Sequence, residues 1–274
     1  MIDESLLNRA APPGSMRYFS LLYAPAEKRD AIAALYVIDA EIRESARSAS
    51  HDVAHTRLQW WRAEVDRLVN GAPQHPATRL LDERHADERR SFAKLHELLV
   101  AADMDLARMT YNDEAELNAY CSRSGGAVHE LIAERLVGTE APDTARSLAH
   151  TLGIGIRQVE ILRDVRQDVH DGLIYIPLNA LDRHGAAPAA LDSAQISENA
   201  RHVLRSFADS VRARLQPPAR AADGTALRPL LVLAALHLRL LDRIAKRNYD
   251  VASRVDLGPV EKPWVAWRAA RRAG

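Results

Sequence analysis

A chain of 274 residues is long for an ordinary domain but acceptable for a single large helical one. Its 47% hydrophobic and 27% charged residues make a soluble globular composition, and 37 basic against 37 acidic side chains leave a formal net charge of zero. That balance excludes a general nucleic-acid binder, which needs a basic surface to meet phosphates.

In chain order, Pro25 to Ser48 reads as a helix with Ile32, Leu35, Tyr36 and Ile42 on one face; Pro25 suits a first turn, where a missing N–H is harmless. Asp52 to Asn70 reads as a second, stopped by Gly71, with Leu58, Trp61, Val65 and Leu68 on one side. Two helices are expected between Pro76 and Met109. Another starts at a cap on Asn112 and reaches Val137, with a weak point from Ser124 to Gly126. The longest periodic stretch is Asp143 to Val169. After Gly172, "LIYIPLNALDRHGAAP" reads as an ordered connection, and helices resume over Ser193–Leu215 and Ala221–Lys246. No stretch alternates like a strand and no repeat is present, so the fold class is one all-α domain.

Cys121 is the only cysteine, which excludes an internal disulfide and a cysteine zinc cluster and fits a reducing compartment. "MIDESLLNRAAPPGS" is too polar for a secretory signal, and "LLVLAALHLRLL", broken by His237 and Arg239, is too short to span a bilayer. The expected location is the cytoplasm. The basic tail "PWVAWRAARRAG", with Trp264 and Trp267, leaves two readings open: a helix end packed on the domain, or a peripheral membrane contact.

"ILRDVRQDVHDG" carries the chemistry. Residues four apart share a helix face, so Glu160, Asp164 and Asp168 form a line of carboxylates with Arg157 one turn before them and Asp171 past the end. Two carboxylates one turn apart make half a magnesium site, because that ion takes hard oxygen ligands and keeps several waters. A solvated helix face has the same pattern, and both readings stand. On the first helix, the apolar face runs on by whole turns into Asp39, Arg43 and Arg47. Buried charge is costly unless paired, so this stripe either lines a polar cavity or emerges into solvent. Trp60 and Trp61 suit packing or a cation-stabilising cage, and Tyr175 suits a cavity wall or a packed loop. HExxH, GxGxxG, Walker A and GxSxG sequences are absent, which removes the common zinc-hydrolase, nucleotide and serine-hydrolase readings.

"LGIGIRQVEILRDVRQDVHDGLIYIPLNAL", Leu152 to Leu181, resembles the second aspartate-rich region of the squalene/phytoene synthase family, LGxAxQxxNILRDVxxDxxxGRxYLPxxxL. "PAEKRDAIAALY", "LQWWRAEVDRL" and "LRPLLVLAALHLRLLDRI" resemble that family's other core helices in order and spacing, so the resemblance runs from about Arg17 to Arg254. It implies a helical bundle around a deep, mostly apolar central cavity. It also implies a transferase that takes prenyl diphosphates (farnesyl or geranylgeranyl) with magnesium, held between two aspartate-rich helices. Carried over by position, Asp164 and Asp168 match the metal-binding aspartates, Arg163 a diphosphate contact, and Tyr36 and Tyr175 catalytic tyrosines.

The first aspartate motif departs from the family pattern. "RESAR", Arg43 to Arg47, stands where the family has DDxxD, and the usual upstream arginine falls on Ala40. The usual glutamine and asparagine of the second motif fall on Arg157 and Glu160, and the N-terminal serine pair is reduced to Ser15 followed by Met16. Each aspartate-to-arginine change reverses charge and removes a metal ligand. Arg43 and Arg47, with Arg157, Arg163 and Asp39, then become candidate diphosphate-binding residues, because guanidinium forks match phosphate oxygens. Arg43 equally suits neutralising Asp164 or Glu160 across the cavity. The altered helix also resembles the complex I assembly-factor branch of the family, which implies the alternative of a degenerate binding or assembly protein with a protein partner.

Overall fold

Helices whose faces are apolar at helical spacing have to bury them on one another, and this chain does so throughout. The computed structural model describes residues 4–138, 142–216 and 225–273. Within them the α-helices are α1 (Glu4–Ala10), α2 (Met16–Leu22), α3 (Ala26–Ala46), α4 (His51–Val69), α5 (Pro76–Arg84), α6 (His96–Leu106) and α7 (Glu114–Cys121). They continue with α8 (Ala127–Val137), α9 (Asp143–His170), α10 (Leu178–Arg183), α11 (Glu198–Leu215), α12 (Arg228–Lys246) and α13 (Glu261–Arg272). No strand occurs among the described residues, so the all-α single-domain reading holds.

Central position follows from composition. In α3 every residue from Ala31 to Asp39 is buried, and alanines at 31, 33 and 34 let α1, α4, α5, α6 and α8 pack around it. The 28 residues of α9 make it about 42 Å long at the usual rise. They lie against α7, α8, α11 and α12. Closest approach comes at Gly125 and Gly153, where a β-carbon on either would overlap the other's carbonyl oxygen.

Boundaries moved where a side chain captured a backbone N–H. Asp113, not Asn112, caps α7, Ser197 caps α11 four residues later than Ser193, and Ser50 starts α4 at His51. The weak point at Ser124–Gly126 is a π-helical turn over Ser122–Gly126. The Pro76–Met109 stretch forms three pieces, because a 3₁₀ helix over Ala86–Leu95 separates α5 from α6. The expected start of the last core helix at Ala221 lies outside the described residues, and α12 begins at Arg228 with a proline in its first turn. Among the described residues no helix is long and apolar enough to cross a membrane.

Candidate functional site

The buried face of α3 continues into Asp39, whose enclosed carboxylate must be paired. Arg17 of α2 donates to it, and so does Arg43 one turn further along α3, through Nε at 2.8 Å. Arg43 also donates through Nη1 to Glu160 of α9 at 3.2 Å and through Nη2 to the Ser124 carbonyl at 2.5 Å. Arg157, one turn before Glu160, lies 3.6 Å from the same carboxylate. Burial opposes ionisation of Asp39 and Glu160, yet these guanidiniums hold both carboxyls below the usual range. The space left beside them, walled also by His129 and His237, is about 10 Å³, room for about one water. The space at this point between α2, α3, α9 and α12 is therefore filled with charged side chains. Burial pushes both histidines down to about 4, so they sit there neutral.

Beside this network lies a tyrosine cluster. The Tyr175 hydroxyl donates to Asp105 Oδ1 at 2.7 Å, the Tyr120 hydroxyl donates to Oδ2 at 3.1 Å, and Arg157 Nη2 donates to the Tyr120 oxygen at 2.8 Å. The Arg157 guanidinium also lies over the Tyr120 and Tyr175 rings, at 5.5 and 5.2 Å from their centroids. Burial pushes the Tyr120 hydroxyl up to about 12 and holds Tyr175 well above its usual value, so both remain donors. Tyr36 is buried under Arg17, with its hydroxyl 3.4 Å from Ser20.

The charges reach solvent at the end of α3 and α9. Arg47 Nη2 donates to Asp168 Oδ1 at 2.8 Å, which leaves Asp168 Oδ2 buried without a partner. Burial pushes the Asp168 carboxyl up to about 6 against the pull of Arg47. Asp164 receives both arms of Arg163 and, at 3.0 Å, Nε of Arg254. These residues open on a cleft of about 590 Å³, walled by Arg47, Arg163, Asp164, Arg166, Asp192 and Arg254 among others. A second cleft, of about 510 Å³, shares Arg47 and His170 with the first and is lined by Ala46, Ala49, Asp105, Leu106, Arg108 and Leu173. Arg47, which holds Asp168, thus borders both.

Magnesium was expected at Asp164 and Asp168. One free acceptor, Asp168 Oδ2, is present, but the other oxygens of the pair are already taken by Arg47, Arg163 and Arg254. Across the gap stand guanidiniums in place of carboxylates. Glu44, the one acid of that motif, turns outward to Arg9 at 2.8 Å. Among the described residues no three His, Cys, Asp or Glu side chains converge. This donor set does not fit a divalent ion as it stands, since magnesium needs near-octahedral oxygen ligands.

The sequence-derived candidates therefore fall into two places. Arg47, Arg163 and Asp164 line the outer cleft, and Asp168 is buried against Arg47. Asp39, Arg43, Arg157, Tyr36 and Tyr175 lie within the core; the donors of Arg43 go to Asp39, Glu160 and Ser124 rather than to the cleft. Ser15 caps α2 by accepting from the Tyr18 N–H. Trp61 is buried, and Trp60 packs on it and on His75, away from these charges. Arg17, Asp105, Tyr120, Asp192 and Arg254 were missed. Each is remote in sequence from the residue it serves, and only the unusual burial of acid and base on α3 and α9 pointed towards them.

The sequence model of the squalene/phytoene synthase family matches residues 11–263. A phytoene synthase of Arthrospira platensis is 29% identical over 258 residues, covering 85% of this chain and 81% of that protein. A presqualene diphosphate synthase of Rhodopseudomonas palustris is 32% identical over 191 residues, 66% of this chain and 65% of that one. The crystal structure of a dehydrosqualene synthase in complex with a ligand superposes with a TM-score of 0.81 at 17% identity, covering 97% of this chain and 94% of the other. A squalene synthase structure from Alicyclobacillus acidocaldarius gives 0.70 at 19% identity, over 89% and 92% of the two chains.

Proposed function

The chain belongs to the squalene/phytoene synthase family, and from that membership we propose that it is a transferase whose substrate is a prenyl diphosphate, farnesyl or geranylgeranyl. One observation carries the reading. The outer cleft sets four arginines against two aspartates in a chain of zero net charge, at the end of the helix bearing Asp164 and Asp168. A diphosphate is the dense anion that such a cleft suits.

In this proposal Arg47, Arg163, Arg166 and Arg254 grip the diphosphate. The start of the prenyl chain lies over Arg47 against Ala46, Ala49, Leu106 and Leu173 of the adjoining cleft. Guanidiniums stabilise the charge that grows on the diphosphate as its bond to the allylic carbon breaks. Tyr175 and Tyr120 act through Asp105, which they hold at the wall of the second cleft. Magnesium, the ion this family is expected to use, does not match the present donor set at Asp164 and Asp168, and no step here depends on it.

The test is incubation of the purified protein with farnesyl and geranylgeranyl diphosphate, following diphosphate release and organic products. Turnover supports the transferase; ligand binding without release does not.

Helix α13 supports peripheral contact with an anionic membrane. Trp264 and Trp267 are about half exposed, at 52% and 49%. Arg268 and Arg271 lie over their rings at 5.2 and 5.0 Å. Aromatic rings flanked by arginines suit the headgroup layer, where a lipid substrate would be met.

A further inference from the structure

Carboxylates that hold a divalent ion must have oxygens to give it, and here those oxygens are committed elsewhere. Asp168 is 2% exposed and gives one oxygen to Arg47, at the C-terminal cap of α3. Asp164 is held by its neighbour Arg163 and by Arg254, which arrives from the segment after α12. The contacts are thus between α9 and two other parts of the chain, so the guanidiniums are placed by the fold rather than by local sequence alone.

The cations differ in how firmly they are held. Arg163 is largely enclosed, whereas Arg254 is 68% exposed and Arg47 40% exposed, each with donors beyond the ones it uses on a carboxylate. Arg166 adds a fourth, resting on Asp192 and on the Ala252 carbonyl. Four guanidiniums thus line the cleft beside the two aspartates. An entering divalent ion would meet these four guanidiniums before it met a free carboxylate oxygen.

Resting on the reading that the substrate is a prenyl diphosphate, we infer that this cleft recognises the diphosphate without magnesium, Arg47 and Arg254 turning from Asp168 and Asp164 to the phosphate oxygens. Each guanidinium leaves one oxyanion for another, and the planar fork fits phosphate as well as carboxylate. Free magnesium then works against binding, because it complexes the diphosphate in solution. The occupied oxygens of Asp164 and the single free oxygen of Asp168 set this apart from a metal-bridged clamp.

The experiment is titration calorimetry of the full chain with inorganic pyrophosphate and with farnesyl diphosphate, in EDTA and in magnesium. Binding in EDTA at least as tight as in magnesium is the expected result. Weaker binding in EDTA than in magnesium overturns the inference while leaving the prenyl-diphosphate reading intact. Absence of binding by both ligands in both buffers overturns that reading itself. Arg254→Ala, at a position exposed enough not to disturb the fold, should weaken pyrophosphate binding in EDTA about tenfold. Unchanged binding by this variant, with its circular dichroism unchanged, removes Arg254 from the site and overturns the exchange.

Discussion

Arg43 on α3 joins Asp39, one turn behind it, to Glu160 on α9, with Nε 2.8 Å from the first carboxylate and Nη1 3.2 Å from the second. This side chain ties α3 to α9 at the centre of the bundle. Removing it leaves Glu160 with only the longer contact to Arg157 and Asp39 with Arg17. Breaking one partner out of a buried ion network costs about 3–5 kcal/mol. Arg43→Met should therefore lower the thermal midpoint by many degrees, and Arg43→Met with Glu160→Gln should recover part of the loss. Additive losses in a double-mutant cycle would refute the coupling.

Arg47→Asp restores a carboxylate facing Asp168 across the mouth. The two acids, with Asp164 nearby, would then offer oxygens that Arg47 now masks. Thermal denaturation with and without magnesium is the measurement. The natural chain should show no midpoint shift on adding the ion, and the variant should be stabilised by it, by about 2.7 kcal/mol at a hundred times its dissociation constant.

Asp168 and Glu160, two turns apart on α9, are shifted in opposite directions. Burial lifts Asp168 to about 6, so the folded state holds that proton more tightly than the unfolded one. The stability this provides is complete below about pH 4 and is lost as pH rises through 6. Glu160 is depressed, its stabilisation being present above its ordinary range and lost as pH falls through its lower folded value. Midpoints measured from pH 4 to 7 should therefore show a decline of roughly 2–3 kcal/mol from Asp168, absent in Asp168→Asn. A decline that persists in the variant would place its origin in another group.

Gly125→Ala tests the approach of the π-helical turn to α9. The added methyl meets the Gly153 carbonyl and the Arg157 stem, neither able to retreat without moving a helix. Overpacking of this kind costs about 1–3 kcal/mol or more. Gly138→Ala is the control. No atom would crowd its new methyl, although its φ of 104° still strains a side chain. Equal stability of Gly125→Ala and the natural chain would mean that the π-helical turn and α9 are free to separate.

Trp264→Ala combined with Trp267→Ala should reduce binding to vesicles containing phosphatidylglycerol, while leaving pyrophosphate affinity unchanged. Sedimentation with vesicles of neutral and anionic lipid reads both the aromatic and the charged contribution. Equal retention of natural and variant chains would rule out α13 as the contact.

Periodicity alone determined the helices. Ile32, Leu35, Tyr36 and Ile42 set the buried face of α3, and Glu160, Asp164 and Asp168 their line on α9, because side-chain position on a helix depends only on spacing. The motif Ile161 to Asp168 likewise carried the family, later matched over residues 11–263. Helix ends were less legible, since a competition among Ser50, Asp113 and Ser197 and their neighbours for a backbone N–H is settled by small local differences. What the carboxylates do was decided only by the tertiary structure. Asp164 is held by Arg254, 90 residues away, Asp168 by Arg47, 121 away, and Glu160 by Arg43, 117 away. A spacing of four places two acids on one face, but which cation reaches them depends on where other helices end, and long-range electrostatics leaves no period in a sequence.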